Sequence, residues 1–372
     1  MSIYRTHIAN FFIFFKKRMS LVDFICMCGI IILIGYCSLY AFRQINSKRI
    51  ERRIIQVMNI HVIGTVNGEV NEGMRNIATH ISRAFEKEHT VIYSGLRQLP
   101  KIVFDSKKAD VTIIFAWADK RIYELVRAVS AICTNVWVVL VQKPAEEFFE
   151  LTRDNPLGCS YLYIFDDDVK GLNVAEGKTI RRFSVGINTE KFVPPAGIDV
   201  GEFKKKYGFD PELPLLLHVG HCSGGRGLED FLQIKNAQRL IIASGMFEDE
   251  ALVKALEDDG VTIMSGYLEN VEEIFQMSDA YLFPTRSSDN VISIPLSVME
   301  ALACGVPVIG YRSFVNFSGI GCADGAVSFI DSPEEIDAIL PDVIAKKSCE
   351  SMLKNTGTWD DAANEILGVI SQ

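Results

Sequence analysis

The chain has 372 residues, of which 48% are hydrophobic, so it is long enough for two ordinary domains with sizeable cores and excludes extensive disorder. The formal net charge is −9, but residues 1–57 hold nine Lys and Arg against Asp23 and Glu51, so this arm carries +7 and the rest carries −16. An acidic body with a basic arm disfavours nucleic acid as a partner. It favours a basic segment close to an anionic membrane.

The nine cysteines form no pairing pattern, and no C-x2-C pair suggests zinc. We therefore expect free thiols in a reducing compartment, which places the body of the protein in the cytosol.

Residues 24–42 form a run of 19 residues without a charge. As a helix this run is roughly 28 Å long, close to the hydrocarbon thickness of a bilayer. A signal peptide is disfavoured because no small-x-small cleavage site follows, and a buried core helix would show a polar face. Another interpretation is that Met58 is the true start. We predict a single-pass anchor in the inner or cytoplasmic membrane, with the later domains facing the cytosol.

From Ile60 onward, short apolar runs alternate with segments of helix length. Such alternation predicts parallel sheets covered by helices on both faces. The predicted domains are 58–195 and 196–357, each Rossmann-like, followed by an amphipathic helix at 358–372. The predicted strands are 60–63, 91–92, 111–115, 136–141 and 161–165, then 215–219, 240–243, 261–264, 281–283 and 306–309.

A short helix before Gly305 contains an unusual carboxylate. Pro295 suits the first turn of this helix, Ser293 has the chemistry of a cap, and Gly305 ends it. Glu300 lies between Met299 and Ala301, where a charge needs a partner. It is either a surface glutamate or a carboxylate that binds a hydroxylated ligand.

Three segments together resemble the retaining glycosyltransferases of family 4, which have the GT-B fold. They are EALACGVPVI at 300–309, LHVGHCSGGRG at 217–227 and VGINTEKFVP at 185–194. The resemblance covers roughly residues 58–330 and implies that Glu300 holds the ribose hydroxyls of a nucleotide-sugar donor. It also implies that His221 and Arg226 replace two basic residues of the family, that the last helix packs on the N-terminal domain, and that Asn67 and Gly68 lie near the acceptor.

The turn after the strand at 215–219 is the predicted phosphate site, because parallel sheets bind ligands at the carboxyl ends of their strands. There Gly224 and Gly225 let backbone N–H groups approach a phosphate, and Arg226 with His221 would meet its charge. The alternatives are that Arg226 is a solvated surface arginine and that His221 is a loop histidine facing water. The other predicted donor-binding residues are Gly220, Ser293 and Leu268.

Two further patterns are given little weight. The loop 64–68 is not G-x-G-x-x-G, so NAD has little support. Asp166, Asp167 and Asp168 contain a D-x-D pattern that could hold Mg²⁺ or Mn²⁺, but the resemblance is to a metal-independent fold. We predict a solvated acidic turn there, with no metal and no cofactor apart from the donor substrate.

The chain departs from the family pattern at two places. The family's first glutamate, eight residues before the second, corresponds to Ile292 here, and no histidine occurs between His89 and His218. The main prediction is a retaining glycosyltransferase with a glycan or lipid-linked acceptor. The alternatives are a non-catalytic GT-B scaffold, a nucleotide-sugar epimerase, and a simple interaction protein.

Overall fold

The computed structural model describes residues 57–66, 72–197, 199–246, 248–289, 291–354 and 357–372. The chain divides into two units, Met1–Gln56 and Val57–Gln372, and all the described residues belong to the second. The predicted anchor at 24–42 and the predicted acceptor-side residues Asn67 and Gly68 lie outside the described residues. Within the described ranges, no helix is both long and apolar enough to cross a bilayer.

The first half of the second unit is a six-stranded parallel sheet in the order β2-β1-β3-β4-β5-β6. Neighbouring strands point the same way because each connection crosses the sheet through a helix or a long loop. We call this half the N-terminal domain. Its strands are β1 (Asn59–Ile63), β2 (Thr90–Ser94), β3 (Val111–Phe115), β4 (Val136–Leu140), β5 (Ser160–Tyr163) and β6 (Ile180–Arg182).

The second half repeats the architecture with the strand order β12-β11-β10-β7-β8-β9, also parallel. We call it the C-terminal domain. The strands β8 and β9 are added on one side of β7, and β10 to β12 are added on the other side. The strand order therefore reverses between β7 and β10, which is where doubly wound sheets bind ligands. Its strands are β7 (Leu215–Gly220), β8 (Gln238–Ala243), β9 (Thr262–Ser265), β10 (Ala280–Phe283), β11 (Val308–Tyr311) and β12 (Val327–Ile330).

The helices cover the sheets with their apolar sides. In α1, Ile77, Ile81 and Phe85 are buried at a four-residue spacing, which keeps them on one helical face. The helices of the described residues are α1 (Gly73–Phe85), α2 (Leu99–Ser106), α3 (Lys120–Ser130), α4 (Glu146–Asp154), α5 (Val200–Lys206), α6 (Glu250–Asp258), α7 (Val271–Met277), α8 (Leu296–Ala303), α9 (Ile336–Ile344) and α10 (Trp359–Ile370).

The predicted two-domain parallel α/β architecture is confirmed, with corrections at its edges. The sequence analysis missed β6 and β12, which are edge strands with partly exposed residues and no continuous apolar run. The strand predicted at 306–309 begins instead at Val308.

The chain passes between the two domains along paired segments. Ile187 forms a parallel bridge with Thr358, and its N–H donates to the carbonyl of Gly357 at 3.2 Å. Gly186 is required here, because a Cβ at this position would lie 2.3 Å from the carbonyl oxygen of Thr358. The returning segment leads into α10, which packs on α1 of the N-terminal domain.

The domains also meet through the loop before α8, which corrects two predictions. The hydroxyl of Ser293 donates to Asp168, and its backbone N–H donates to the carbonyl of Val141 at 2.8 Å. Ser293 therefore does not cap α8, whose N-cap is Pro295 without a side-chain bond. The prediction of a solvated acidic turn is wrong for Asp168, which is buried, although Asp166 and Asp167 are exposed.

Candidate functional site

The main cavity lies between the two domains and has a volume of about 430 Å³. Pockets that hold small molecules typically measure about 300–1,000 Å³. The C-terminal domain contributes the ends of β7, β8 and β10 and the start of α8, so the cavity opens at the reversal point of the second sheet. The N-terminal domain contributes one face of α1, and Trp359 of α10 lies beside it.

The loop after β7 carries basic side chains to the cavity. Gly220 ends the strand, and both His221 and Arg226 line the cavity. Gly227 follows with a φ of +77°, in the left-handed region, and a Cβ there would lie 2.4 Å from the carbonyl oxygen of Pro284. This close approach requires glycine and holds the loop against the segment after β10. The position of Arg226 is therefore fixed by the backbone that follows it.

Burial tunes the charge of these basic groups. It lowers the pKa of His221, and the neighbouring Arg226 guanidinium lowers it further. Nδ1 of His221 is 2.5 Å from the Ser244 hydroxyl, which fixes the ring. Burial also lowers the pKa of Arg226, although an arginine stays charged across the physiological range. A neutral histidine beside a charged arginine offers hydrogen bonds and a positive charge to a bound anion.

His218 is a third polar group at this end of β7. Burial lowers its pKa to about 4, so the ring is neutral at pH 7. Nδ1 lies 3.0 Å from the carbonyl oxygen of Leu282, so the proton resides on Nδ1 and Nε2 is left as an acceptor.

Glu300 reaches the cavity from α8. Burial raises its pKa to about 7, and the nearby Lys191 ammonium partly opposes this shift. Lys191 itself lies 3.0 Å from Glu272 and also lines the cavity. No hydrogen bond between described residues involves the Glu300 carboxylate, which therefore keeps its acceptor positions for hydroxyl groups of a ligand.

The wall of the N-terminal domain is polar and follows one face of α1. Glu72 caps the helix, and Asn76, His80 and Arg83 follow at the spacing of one face. The imidazole of His80 stacks on the indole of Trp359, with ring centroids 5.0 Å apart and planes 9° apart. This wall offers amide, imidazole and guanidinium groups opposite the basic loop of the C-terminal domain.

The structure brings most of the predicted donor-side residues together. Gly220, His221, Arg226, Leu268 and Glu300 all line the one cavity.

Three predicted residues do not line it. Gly224 and Gly225 are exposed at the tip of the loop after β7. Ser293 is buried behind the cavity wall, so it contacts no ligand there directly.

Sequence reasoning missed several lining residues. His218 belongs to a quoted segment but was read only as part of a strand. Lys191 belongs to the quoted segment 185–194 but was not singled out. His80 and Asn76 show no motif, and only the packing of α1 brings them to the cavity. Ile292, at the position of the missing glutamate, lines the cavity and contacts Gly73, where a Cβ would be 2.7 Å from its Cδ1.

Comparison with known sequences gives two matches, each to part of the chain. The family model described as Glycosyl transferases group 1 matches residues 226–332, which include Arg226 and Glu300. N-acetyl-alpha-D-glucosaminyl L-malate synthase of Bacillus anthracis is 29% identical over 123 residues, which are 31% of this chain and 31% of that protein. The match therefore spans about a third of that relative's length.

Comparison with solved structures concerns the fold. Anabaena Alr3699/HepE, solved in complex with UDP-glucose, superposes with a TM-score of 0.67 at 11% identity, covering 84% of this chain and 99% of that chain. A UDP-forming alpha,alpha-trehalose-phosphate synthase from Burkholderia vietnamiensis gives 0.56 at 11% identity, covering 85% and 99%. The two parallel-sheet domains thus match the GT-B arrangement, and residues 226–332 are similar to the group 1 glycosyltransferases.

Proposed function

We propose that this protein transfers a sugar from a nucleotide-diphosphate sugar to a glycan or another hydroxyl-bearing acceptor, with retention of anomeric configuration. The observation that carries the proposal is that Arg226 and Glu300 line one cavity between the domains. The Arg226 guanidinium can bind a diphosphate, and the Glu300 carboxylate can accept hydrogen bonds from the hydroxyls of a ribose. Uridine diphosphate sugars are the first donors to test, because the Anabaena protein was solved with UDP-glucose.

In the proposed reaction, the bond between C1 of the sugar and the diphosphate oxygen breaks through an oxocarbenium-like state. The acceptor oxygen forms the new bond to C1, and its hydroxyl proton passes to the departing diphosphate. Negative charge grows on the leaving diphosphate. Arg226 and His221, which both line the cavity, would stabilise that charge, a preorganised electrostatic role. Closure of the two domains on the donor would exclude water that could otherwise hydrolyse it.

The experiment has two stages. Calorimetry with UDP, GDP and ADP tests whether the cavity binds a nucleoside diphosphate. Release of nucleotide from the matching sugar donor is then measured with and without candidate acceptors. Acceptor-dependent release supports a transferase, and acceptor-independent turnover of the sugar supports an epimerase.

A non-catalytic scaffold is the second candidate, and Ile292 is the observation that favours it. The side chain at this position is aliphatic and packs on Gly73, so it supplies no carboxylate to a donor sugar. A scaffold would bind nucleotide and release none with any donor. Nucleotide binding without turnover across the donor and acceptor panel would therefore favour the scaffold.

We also propose that residues 24–42 anchor the protein in the inner or cytoplasmic membrane, with the described domains in the cytosol. The support is the uncharged run of 19 residues, flanked by lysines and arginines. Such an anchor would raise the effective concentration of a lipid-linked acceptor. Fractionation of the full-length protein tests it, and recovery in the soluble fraction or an intact mass beginning at Met58 would refute it.

A further inference from the structure

Glu72 is a carboxylate in a cavity that is otherwise suited to anions. Among the described residues, only Glu72 and Glu300 bring carboxylates to the main cavity, one from each domain. Arg83, Lys191 and Arg226 line the same cavity and can meet negative charge. Because like charges repel, a carboxylate beside a diphosphate site is unfavourable for phosphate binding. The ligand group that Glu72 binds is therefore different from the one that Arg226 binds.

Glu72 also caps α1, and this cap orients its carboxylate. Oε1 accepts from the N–H of Met74 and Oε2 accepts from the N–H of Arg75, both at 3.3 Å. An ionised carboxylate has about four acceptor sites, so each oxygen keeps one. No other group in the described part of the chain donates to this carboxylate. Glu72 thus has a fixed direction and two open acceptor sites, and it is only half-buried.

The start of α1 is held against the loop before α8. A Cβ at Gly73 would lie 2.7 Å from Cδ1 of Ile292, so the absence of a side chain at Gly73 allows this close approach. Ile292 lines the cavity, and its aliphatic side chain accepts no hydrogen bond. On the other side, burial and the Arg226 guanidinium lower the pKa of His221, and the Glu72 carboxylate is close enough to oppose them. Glu72 therefore lies near both the basic loop after β7 and the loop before α8.

The transferred sugar must lie in this part of the cavity if Arg226 and His221 bind the diphosphate, because the sugar is attached directly to that group. Its hydroxyls are donors that a carboxylate accepts, and such charge-assisted hydrogen bonds are about twice as strong as neutral ones. We propose that Glu72 binds hydroxyl groups of the transferred sugar and so makes the donor site selective for neutral sugars. This inference rests on the proposed function, which supplies the diphosphate site.

The selectivity follows from the charge of Glu72. A neutral hexose offers only hydroxyl groups to the carboxylate, whereas a hexuronic acid at the same place would bring a second carboxylate close to it. The two negative charges repel, and partial burial strengthens the repulsion because water screens it less. Ile292, which contacts Gly73 beside Glu72, carries no charge that could compensate. The proposed donor is therefore a nucleoside diphosphate linked to a neutral sugar.

The test compares each nucleoside diphosphate with its hexose conjugate by calorimetry on the full-length protein. The ligand pairs are UDP with UDP-glucose, GDP with GDP-mannose, and ADP with ADP-glucose. Glu72→Ser removes the carboxylate but introduces a side chain that caps helices well, so α1 stays capped. Loss of a hydrogen bond to a charged group should weaken binding of the conjugate about ten- to hundredfold. The free diphosphate should bind as before or more tightly, because a repelling charge is gone.

The matched control is Asp119→Ser, because Asp119 caps α3 through the N–H of Ile122 at 2.9 Å and does not line the cavity. It should change neither affinity. Glu72→Gln keeps the size of the side chain and removes its charge. This variant should narrow the preference for the hexose conjugate over the hexuronate conjugate of the same nucleotide, such as UDP-glucose over UDP-glucuronate.

Three results would overturn the role of Glu72 while leaving the proposed function intact. They are equal losses for diphosphate and conjugate in Glu72→Ser, an unchanged affinity for the conjugate in that variant, and equal binding of the hexose and hexuronate conjugates by the parent. A parent that binds no diphosphate at all would refute the proposed function as well.

Discussion

The hydroxyl of Ser293 donates a hydrogen bond to the carboxylate of Asp168, which joins the loop before α8 to the N-terminal domain. The carbonyl of Ser293 accepts from the Asn316 side chain at 3.0 Å, so the residue bonds on three sides. Burial raises the pKa of Asp168, and the bond from Ser293 opposes this shift. The same loop carries Ile292 and Pro295 into the cavity wall, so this contact positions the site without touching a ligand.

Replacing Ser293 should therefore weaken the fold. Ser293→Ala leaves a buried carboxylate with one donor fewer, which costs about 1–3 kcal/mol of unfolding free energy. Denaturant unfolding measures it. The control is Ser287→Ala, which removes the exposed bond to Asp289 (2.8 Å) and should cost less than about 1 kcal/mol. Equal losses in the two variants would mean that the interdomain bond contributes nothing.

Arg226 should matter for turnover far more than for stability. Arg226→Ala removes a donor to the developing charge, and one such donor is worth about 2.7–4 kcal/mol of barrier, or a factor of about 10²–10³ in kcat. Arg312→Ala, which removes an exposed arginine paired with Asp331, is the control and should leave turnover unchanged. Steady-state kinetics with unchanged melting temperatures checks this expectation. Parental turnover in Arg226→Ala would refute the assignment.

Glu300 should make nucleotide binding depend on pH. With a pKa of about 7, its carboxyl is mostly protonated at pH 6 and ionised at pH 8, and the ionised form accepts more hydroxyl bonds. Ligand binding then favours loss of the proton, so affinity should rise with pH through 7, by at most about tenfold per unit. Glu300→Gln, which keeps the titration of the nucleotide itself, should flatten the difference. Calorimetry from pH 6 to 8 measures it, and parallel profiles would return Glu300 to a surface role.

The same shift has a consequence for stability, with a definite sign. The pKa of Glu300 is raised from 4.5 to about 7 in the folded protein, so its contribution is present at low pH and is lost as pH rises through this window. The difference in unfolding free energy, variant minus parent, should therefore be more positive for Glu300→Gln at pH 8 than at pH 4. Thermal unfolding at both pH values checks the sign.

The two glycines that flank Arg226 should respond differently to alanine. Both have positive φ, +80° at Gly225 and +77° at Gly227, so each substitution carries about 1–2 kcal/mol of backbone strain. A Cβ at Gly225 would meet nothing within 4 Å, whereas one at Gly227 would lie 2.4 Å from the Pro284 oxygen. Gly227→Ala should thus lose more stability and more nucleotide affinity than Gly225→Ala. A larger loss at Gly225 would show that the loop geometry is not what orders Arg226.

The sequence by itself determined most of the strands and their alternation with helices. Buried parallel strands are nearly continuous apolar runs, as at 136–140 and 111–115, and such runs need no tertiary context to be recognised. The motif residues Arg226 and Glu300 were found for a related reason, since each stands out against its local surroundings. Edge strands such as β6 were not predicted, because their partly exposed residues form no apolar pattern.

Only the tertiary structure decided what stands opposite those residues. His80, Asn76 and Trp359 form the other wall because α1 and α10 pack together, and no local pattern encodes that contact. Asp168 and Ser293 are 125 residues apart, and their hydrogen bond exists only because the two domains meet. From the sequence alone, one was interpreted as part of a solvated turn and the other as a helix cap. Burial and pairing depend on distant partners, so a sequence shows which groups carry charge, whereas the fold determines which of them water reaches.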